Sequence, residues 1–188
     1  MSEPARERRL SDTPSPAGAS VGAKSFGEGK LPLLLGVVAL VGVLDYITKR
    51  LIVQSFHLYR SIDIVGEYVK LTYIQNTGAA FGLHTGEADR IVFLVLPMLA
   101  LAGLIALYWA TPTRDRARLL AIALISAGAI GNLMDRVRSA NGVVDCIDIG
   151  FGDHRWPVFN VADIAVTTGA VILALSLWSE ERGRGNVA

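Results

Sequence analysis

Residues 129–163 read AIGNLMDRVRSANGVVDCIDIGFGDHRWPVFNVAD, and this stretch decides the fold. It joins two apolar segments and carries Asn132, Asp135, Arg136, Asp145, Asp148, Asp153, Asn160 and Asp163. So dense a set of polar and ionisable groups beside bilayer-length apolar runs falls at a membrane boundary. There each charge is costly unless it is paired or put to use. Two of the carboxylates, Asp145 and Asp163, are the candidates for catalysis, and the rest of the chain reads as the apparatus that places them.

Composition agrees with a membrane protein. The chain of 188 residues is 52% hydrophobic and 19% charged, with a mean hydropathy of +0.43, too apolar for an ordinary soluble domain. A net charge of +1 gives no hint of a nucleic-acid partner. The single cysteine, Cys146, excludes an internal disulfide framework and a Cys-based zinc site. His57, His84 and His154 lie far apart with no ligand spacing, so no metal and no other cofactor is expected.

Working outward, the uncharged run 119–134 is one span, with Ala123, Ala127 and Gly131 recurring every four residues. Such a seam of small side chains lets a neighbouring helix approach closely. Residues 159–178 form the last span. Residues 91–110 contain no charge at all and end in Tyr108 and Trp109, which suit the interfacial belt. Residues 31–53 form the first span, with Asp45 and Lys49 near one end. Those two stand at i and i+4 with the acid first, the favoured order for an ion pair. The pair either anchors the helix end or contacts substrate, and a supporting role is the expectation.

The fold class expected is therefore membrane all-α with four transmembrane helices. Residues 1–30, rich in Ser, Pro, Gly, Ala, Glu and Arg, read as a disordered tail, residues 31–178 as the membrane domain and residues 179–188 as a second polar tail. Between the first two spans, SIDIV and YVKLTYI alternate in period two around Gly66 and Glu67, the pattern of a small hairpin lying on the membrane. It leads into QNTGAAFG, where Asn76 and Gly78 suit either a structural turn or a substrate-contacting loop.

Orientation follows from the basic residues. Ten of the 18 Lys and Arg fall on the side of the N-terminus, including three arginines packed into residues 114–118. The density in that short loop makes both termini cytoplasmic, and the connections 54–90 and 138–158 then face outward.

Asn160 and Asp163 have the spacing of a helix N-cap and its N3 position, so a capping box is the structural alternative to a catalytic role. Asp145 lies in the extended piece VVDCID, and Asp148, of opposite strand parity, is its rival. Asn132, Asp135 and Arg136 share one helix face. Two carboxylates in a partly desolvated site share a proton. The ionised one can take a proton from water while the protonated one hydrogen-bonds a scissile carbonyl, which suffices for peptide hydrolysis. A helix N-terminus favours an anion, which makes Asp163 the base and Asp145 the acid. No GxSxG, HExxH, P-loop or Ser–Lys pair offers a competing chemistry.

In this order among four hydrophobic spans, DYITK (45–49), QNTGAAFG (75–82), GAIGNLMDR (128–136), GVVDCID (142–148) and FNVAD (159–163) resemble the lipoprotein signal peptidase (signal peptidase II) family. The resemblance implies an aspartic endopeptidase of the bacterial inner membrane with four helices, a small extracytoplasmic β-cradle and a short, lid-like interfacial helix. It would remove the signal peptide from diacylglyceryl-modified prolipoproteins, cutting before the lipidated cysteine. Its partners would be those substrates and membrane lipids, and the protein would act as a monomer. By motif the catalytic pair is Asp145 and Asp163, which favours Asp145 over Asp148. The supporting positions are Asp45, Lys49, Asn76, Gly78, Asn132, Asp135, Arg136, Asn160 and Ala162, with Asp135 expected to orient Arg136. Cys146 departs from the large apolar residue usual there. The residues alone also allow a proton or ion carrier using Asp45, Asp135, Arg136 and Asp163 as a relay, or a scaffold for lipidated partners.

Overall fold

A computed structural model describes residues 29–78 and 89–185. The element order is α1 (Leu31–Ser55), β1 (Ser61–Val65), β2 (Val69–Asn76), α2 (Asp89–Ala110), α3 (Arg116–Arg138), β3 (Val143–Phe151), β4 (His154–Arg155) and α4 (Val161–Gly185). All four helices are long and apolar enough to cross a membrane. At 22 to 25 residues each they measure roughly 33–38 Å, enough for a hydrocarbon core of about 30 Å.

α3 is the central helix: 39% of its most apolar window is buried, against 11–17% for the other three. Lipid tails are as apolar as leucine, so burial alone does not drive helices together, and close backbone contact must. Gly128 and Gly169 supply that contact. A Cβ at Gly128 would stand 2.2 Å from the Ala162 carbonyl oxygen, and one at Gly169 would stand 2.8 Å from that of Ala121. The seam read from the sequence contributes Ala123 and Ala127, both buried, and Ala127 packs with Val41 of α1 and Ala165 of α4.

At one end of the bundle Leu104, Tyr108, Leu119 and Ile122 form an apolar cluster. Here Lys30 Nζ donates to the Tyr108 carbonyl (3.3 Å) and Arg118 pairs with Glu180 (2.6 Å). Asp115 caps α3 by accepting the Arg118 N–H (3.0 Å). The two described chain ends therefore share one end of the bundle with the arginine-dense loop, and Lys30 is buried there. α4 continues through residue 185, seven residues past the expected end of the last span, because the turns carrying Glu180 and Arg182 stay in helix register.

The four-stranded antiparallel sheet stands at the opposite end, ordered β1-β2-β3-β4. β1 and β2 form the expected hairpin. Between Leu71 and Ile74 the β2–β3 register shifts by one residue, a bulge that the alternation of β2 does not signal. Tyr73 and Cys146 turn inward from the sheet onto Ile52 of α1, locking sheet to bundle. No short interfacial helix occurs among the described residues; residues 79–88, including the end of QNTGAAFG, lie outside them.

Candidate active site

Asp145 lies on β3 with 2% of its surface exposed. Two carboxamides hold it: Asn160 Nδ2 donates to Oδ1 at 2.7 Å and Asn76 Nδ2 donates to Oδ2 at 3.1 Å. Asn76 reaches it because β2 pairs Asn76 with Val143, two residues from Asp145 on the same sheet face. The Gly78 N–H occupies Asn76 Oδ1 (3.1 Å), so the amide nitrogen must face Asp145. Behind Asn76, Gly142 adopts φ +84°, and a Cβ there would fall 2.1 Å from the Asn76 carbonyl oxygen. Only glycine permits this turn.

Asp163 comes from the first turn of α4. The capping box forms in both directions: the Asp163 N–H donates to Asn160 Oδ1 (2.9 Å), and the Asn160 N–H donates to Asp163 Oδ2 (3.1 Å). This accounts for the chain's local geometry here, and it also leaves the Asn160 amide nitrogen free to point at Asp145. Asn160, fully buried, thus touches both acids. Asn132 Nδ2 completes Asp163 by donating to Oδ1 at 2.7 Å.

A second layer fixes Asn132. Its Oδ1 accepts from Asn160 Nδ2 (3.1 Å) and from Lys49 Nζ (3.1 Å). Lys49 is buried and also pairs with Asp45 (2.7 Å) and Asp135 (2.8 Å). Asp45 in turn accepts the Ala162 N–H (3.0 Å). Gly131 makes room for this, since a Cβ there would lie 2.9 Å from Asp45 Oδ2. The expected Asp45–Lys49 pair is present, but Asp135 orients Lys49 rather than Arg136. Helical periodicity places residues 132, 135 and 136 on one face without saying which neighbouring helix that face meets. Arg136 instead donates to the Asn132 carbonyl (3.3 Å) and lies over the Phe93 ring, 5.9 Å from its centroid. It remains within electrostatic reach of Asp145 and Asp163.

Burial pushes the Asp145 carboxyl up to about 6, against the downward pull of its Asn76 and Asn160 donors, and the nearby Asp163 charge adds to the rise. Burial likewise pushes the Cys146 thiol up to about 11, so this cysteine is an inert filler packed against Ile52 and Tyr73. Asp148 faces away from Asp145 and is bound to Arg155 Nε (2.7 Å) and Thr72 Oγ1 (2.9 Å). Neither Arg155 nor Thr72 stood out in the sequence. Asp148 therefore serves the sheet, and the acids gathered around Asn160 are Asp145 and Asp163.

Comparison with known proteins places the chain in a family. A family model described as signal peptidase (SPase) II matches residues 37–179. A lipoprotein signal peptidase of Geobacter sulfurreducens is 40% identical over 74% of this chain and 88% of its own. One of Halothermothrix orenii is 39% identical over 78% and 95%. Among solved structures, a bacterial membrane enzyme determined by the in meso method at 2.3 Å resolution superposes with a TM-score of 0.72 at 27% identity, covering 79% of this chain and 88% of that one. The matched model spans most of the chain and the named relatives are covered over most of their own length, so the chain belongs to the lipoprotein signal peptidase (signal peptidase II) family of membrane aspartic peptidases.

Proposed function

We propose that the chain removes signal peptides from diacylglyceryl-modified prolipoproteins by cutting just before the lipidated cysteine, with Asp145 and Asp163 as the catalytic pair. Asp163 takes a proton from water, and the resulting hydroxide attacks the scissile carbonyl. Asp145, holding its proton, hydrogen-bonds the carbonyl oxygen as negative charge develops there. As the tetrahedral intermediate collapses, the scissile C–N bond breaks and the proton taken up by Asp163 passes to the leaving amine nitrogen, which regenerates the pair. The observation that carries this reading is Asn160, one buried residue bonded to Asp145 through its side chain (2.7 Å) and to Asp163 through its backbone (3.1 Å). The raised affinity of Asp145 for its proton supports its part as the acid. Asn76, Asn132 and Arg136 are the groups that hold the pair or the substrate backbone, and Asp45, Lys49, Asp135, Gly78 and Ala162 support them.

The enzyme works in the bacterial inner membrane as a monomer. The membrane domain spans residues 31–178, flanked by tails that are cytoplasmic like the arginine-dense loop at residues 114–118, and the sheet and dyad face outward. The test is cleavage of a purified lipidated precursor by Asp145→Asn and Asp163→Asn. Each is expected to lose roughly 10³-fold or more in kcat while still binding substrate. Undiminished cleavage by either variant removes that residue from the chemistry.

A further inference from the structure

The geometry points to a binding groove for an anionic phospholipid between α1 and α3, with the lipid phosphate held by Arg50 and Arg138 and one acyl chain laid along the helices. The groove encloses about 650 Å³, within the range of small-molecule sites. Its polarity changes along its length. Val38, Ala39, Gly42, Val43, Ala127 and Ile130 line the part along the middle of α1 and α3, and Arg50 and Arg138, near the sheet-side ends of those helices, line the rest. An apolar trough ending in cations matches an amphiphile with an anionic head.

Two further observations bear on the occupant. Arg50 and Arg138 are exposed and have no ion-pair or hydrogen-bond partner for their guanidinium groups among the described residues. The acids that share the groove wall, Asp45 and Asp135, are already bound by the buried Lys49. The unspent charge is therefore positive, and guanidinium forks suit phosphate. The groove is also open by construction, because a Cβ at Gly42 would meet no atom within 4 Å. Unlike Gly128, Gly42 is not required for helix contact; its lack of a side chain leaves space. Neither Asp145 nor Asp163 lines this groove, so the site does not depend on the assignment of the dyad.

The test uses the purified full-length protein in neutral detergent. Retention of dioleoylphosphatidylglycerol and dioleoylphosphatidylcholine is measured by native mass spectrometry, and thermal stability by tryptophan fluorescence. The wild type is expected to retain the phosphatidylglycerol in preference and to be stabilised by it, while inorganic phosphate alone has no such effect. Combining Arg50→Gln with Arg138→Gln is expected to weaken retention about tenfold or more. Gly42→Leu is expected to weaken it without lowering the lipid-free unfolding temperature. Arg60→Gln with Lys70→Gln, an equal charge change on the sheet, is expected to leave retention unchanged. Equal retention of the two lipids overturns the proposal. So does an equal loss in the sheet control, or a Gly42→Leu variant that keeps the lipid but raises KM for the lipidated precursor, which would make the groove a substrate site.

Discussion

Asp145 and Asp148 lie three residues apart on the same strand and are both buried, yet they are held in opposite ways. Asp148 faces a cation, the Arg155 guanidinium at 2.7 Å, and a hydroxyl at 2.9 Å. The carboxyl of Asp145 is hydrogen-bonded by neutral carboxamides, from Asn76 and Asn160. A cation at hydrogen-bond distance ties a carboxyl group into an ion pair and commits it to structure. Amides orient a carboxylate without neutralising it, so burial and a neighbouring acid can still drive a proton onto it. On the proposed function, the difference between the structural and the reactive aspartate is the chemistry of the partner, not depth in the protein.

The comparison breaks most visibly if the same substitution is placed at both positions. Asp145→Asn is expected to reduce cleavage of a lipidated precursor by roughly 10³-fold or more, whereas Asp148→Asn stays within a few-fold of wild type. Equal losses at the two positions would mean that the partner does not decide the role.

Next in size is Asn160→Ala, which removes the amide donor to Asp145 and one half of the capping box. A loss of about 10²-fold in kcat is expected, together with about 1 kcal/mol of stability from the lost cap. Asn160→Ser separates the two contributions, since serine can restore the cap but not the contact with Asp145. Its stability is expected to recover while its activity stays low.

A subtler probe is pH. If Asp145 must hold a proton to act, kcat/KM falls as pH rises through about 6, where the free enzyme loses that proton. Asn76→Leu removes a donor that favours the ionised form, so the falling limb is expected to move to higher pH, not lower. A limb that moves down, or does not move, would show that Asn76 does not act on Asp145.

Much of this was legible in the chain, for identifiable reasons. Uncharged runs of bilayer length announce helices regardless of what they pack against, and the Asn160–Asp163 spacing announces a cap because the interaction is local. The Asp45–Lys49 pair is local too. What the sequence did not reveal is non-local. The partner of Asp135 depends on how α1 docks on α3, and on Gly131 leaving room for Asp45. The role of Asp148 depends on Arg155 folding back from β4 and on Thr72 reaching across from the next strand, beside a bulge that period-two alternation does not mark. The reach of Asn76 depends on Gly142, far away in sequence and in backbone contact in space.

The smallest expected effect sharpens the structural side of the comparison. Arg155→Met leaves the Asp148 carboxylate without its cation, with Thr72 as its remaining side-chain donor. Removing one partner of a buried pair costs several kcal/mol in a dry interior. Arg155 is partly exposed, with 23% of its side chain accessible, so solvent screening brings the expected loss down to about 1–2 kcal/mol. Adding Asp148→Asn to Arg155→Met removes the stranded charge and is expected to recover part of that loss, as read from thermal unfolding in detergent. Through both variants the pH dependence of cleavage is expected to keep its wild-type limb, because the sheet pair points away from Asp145. A shifted limb would mean that charge on the far face of β3 reaches the dyad, and that the strand does not insulate its two aspartates from one another.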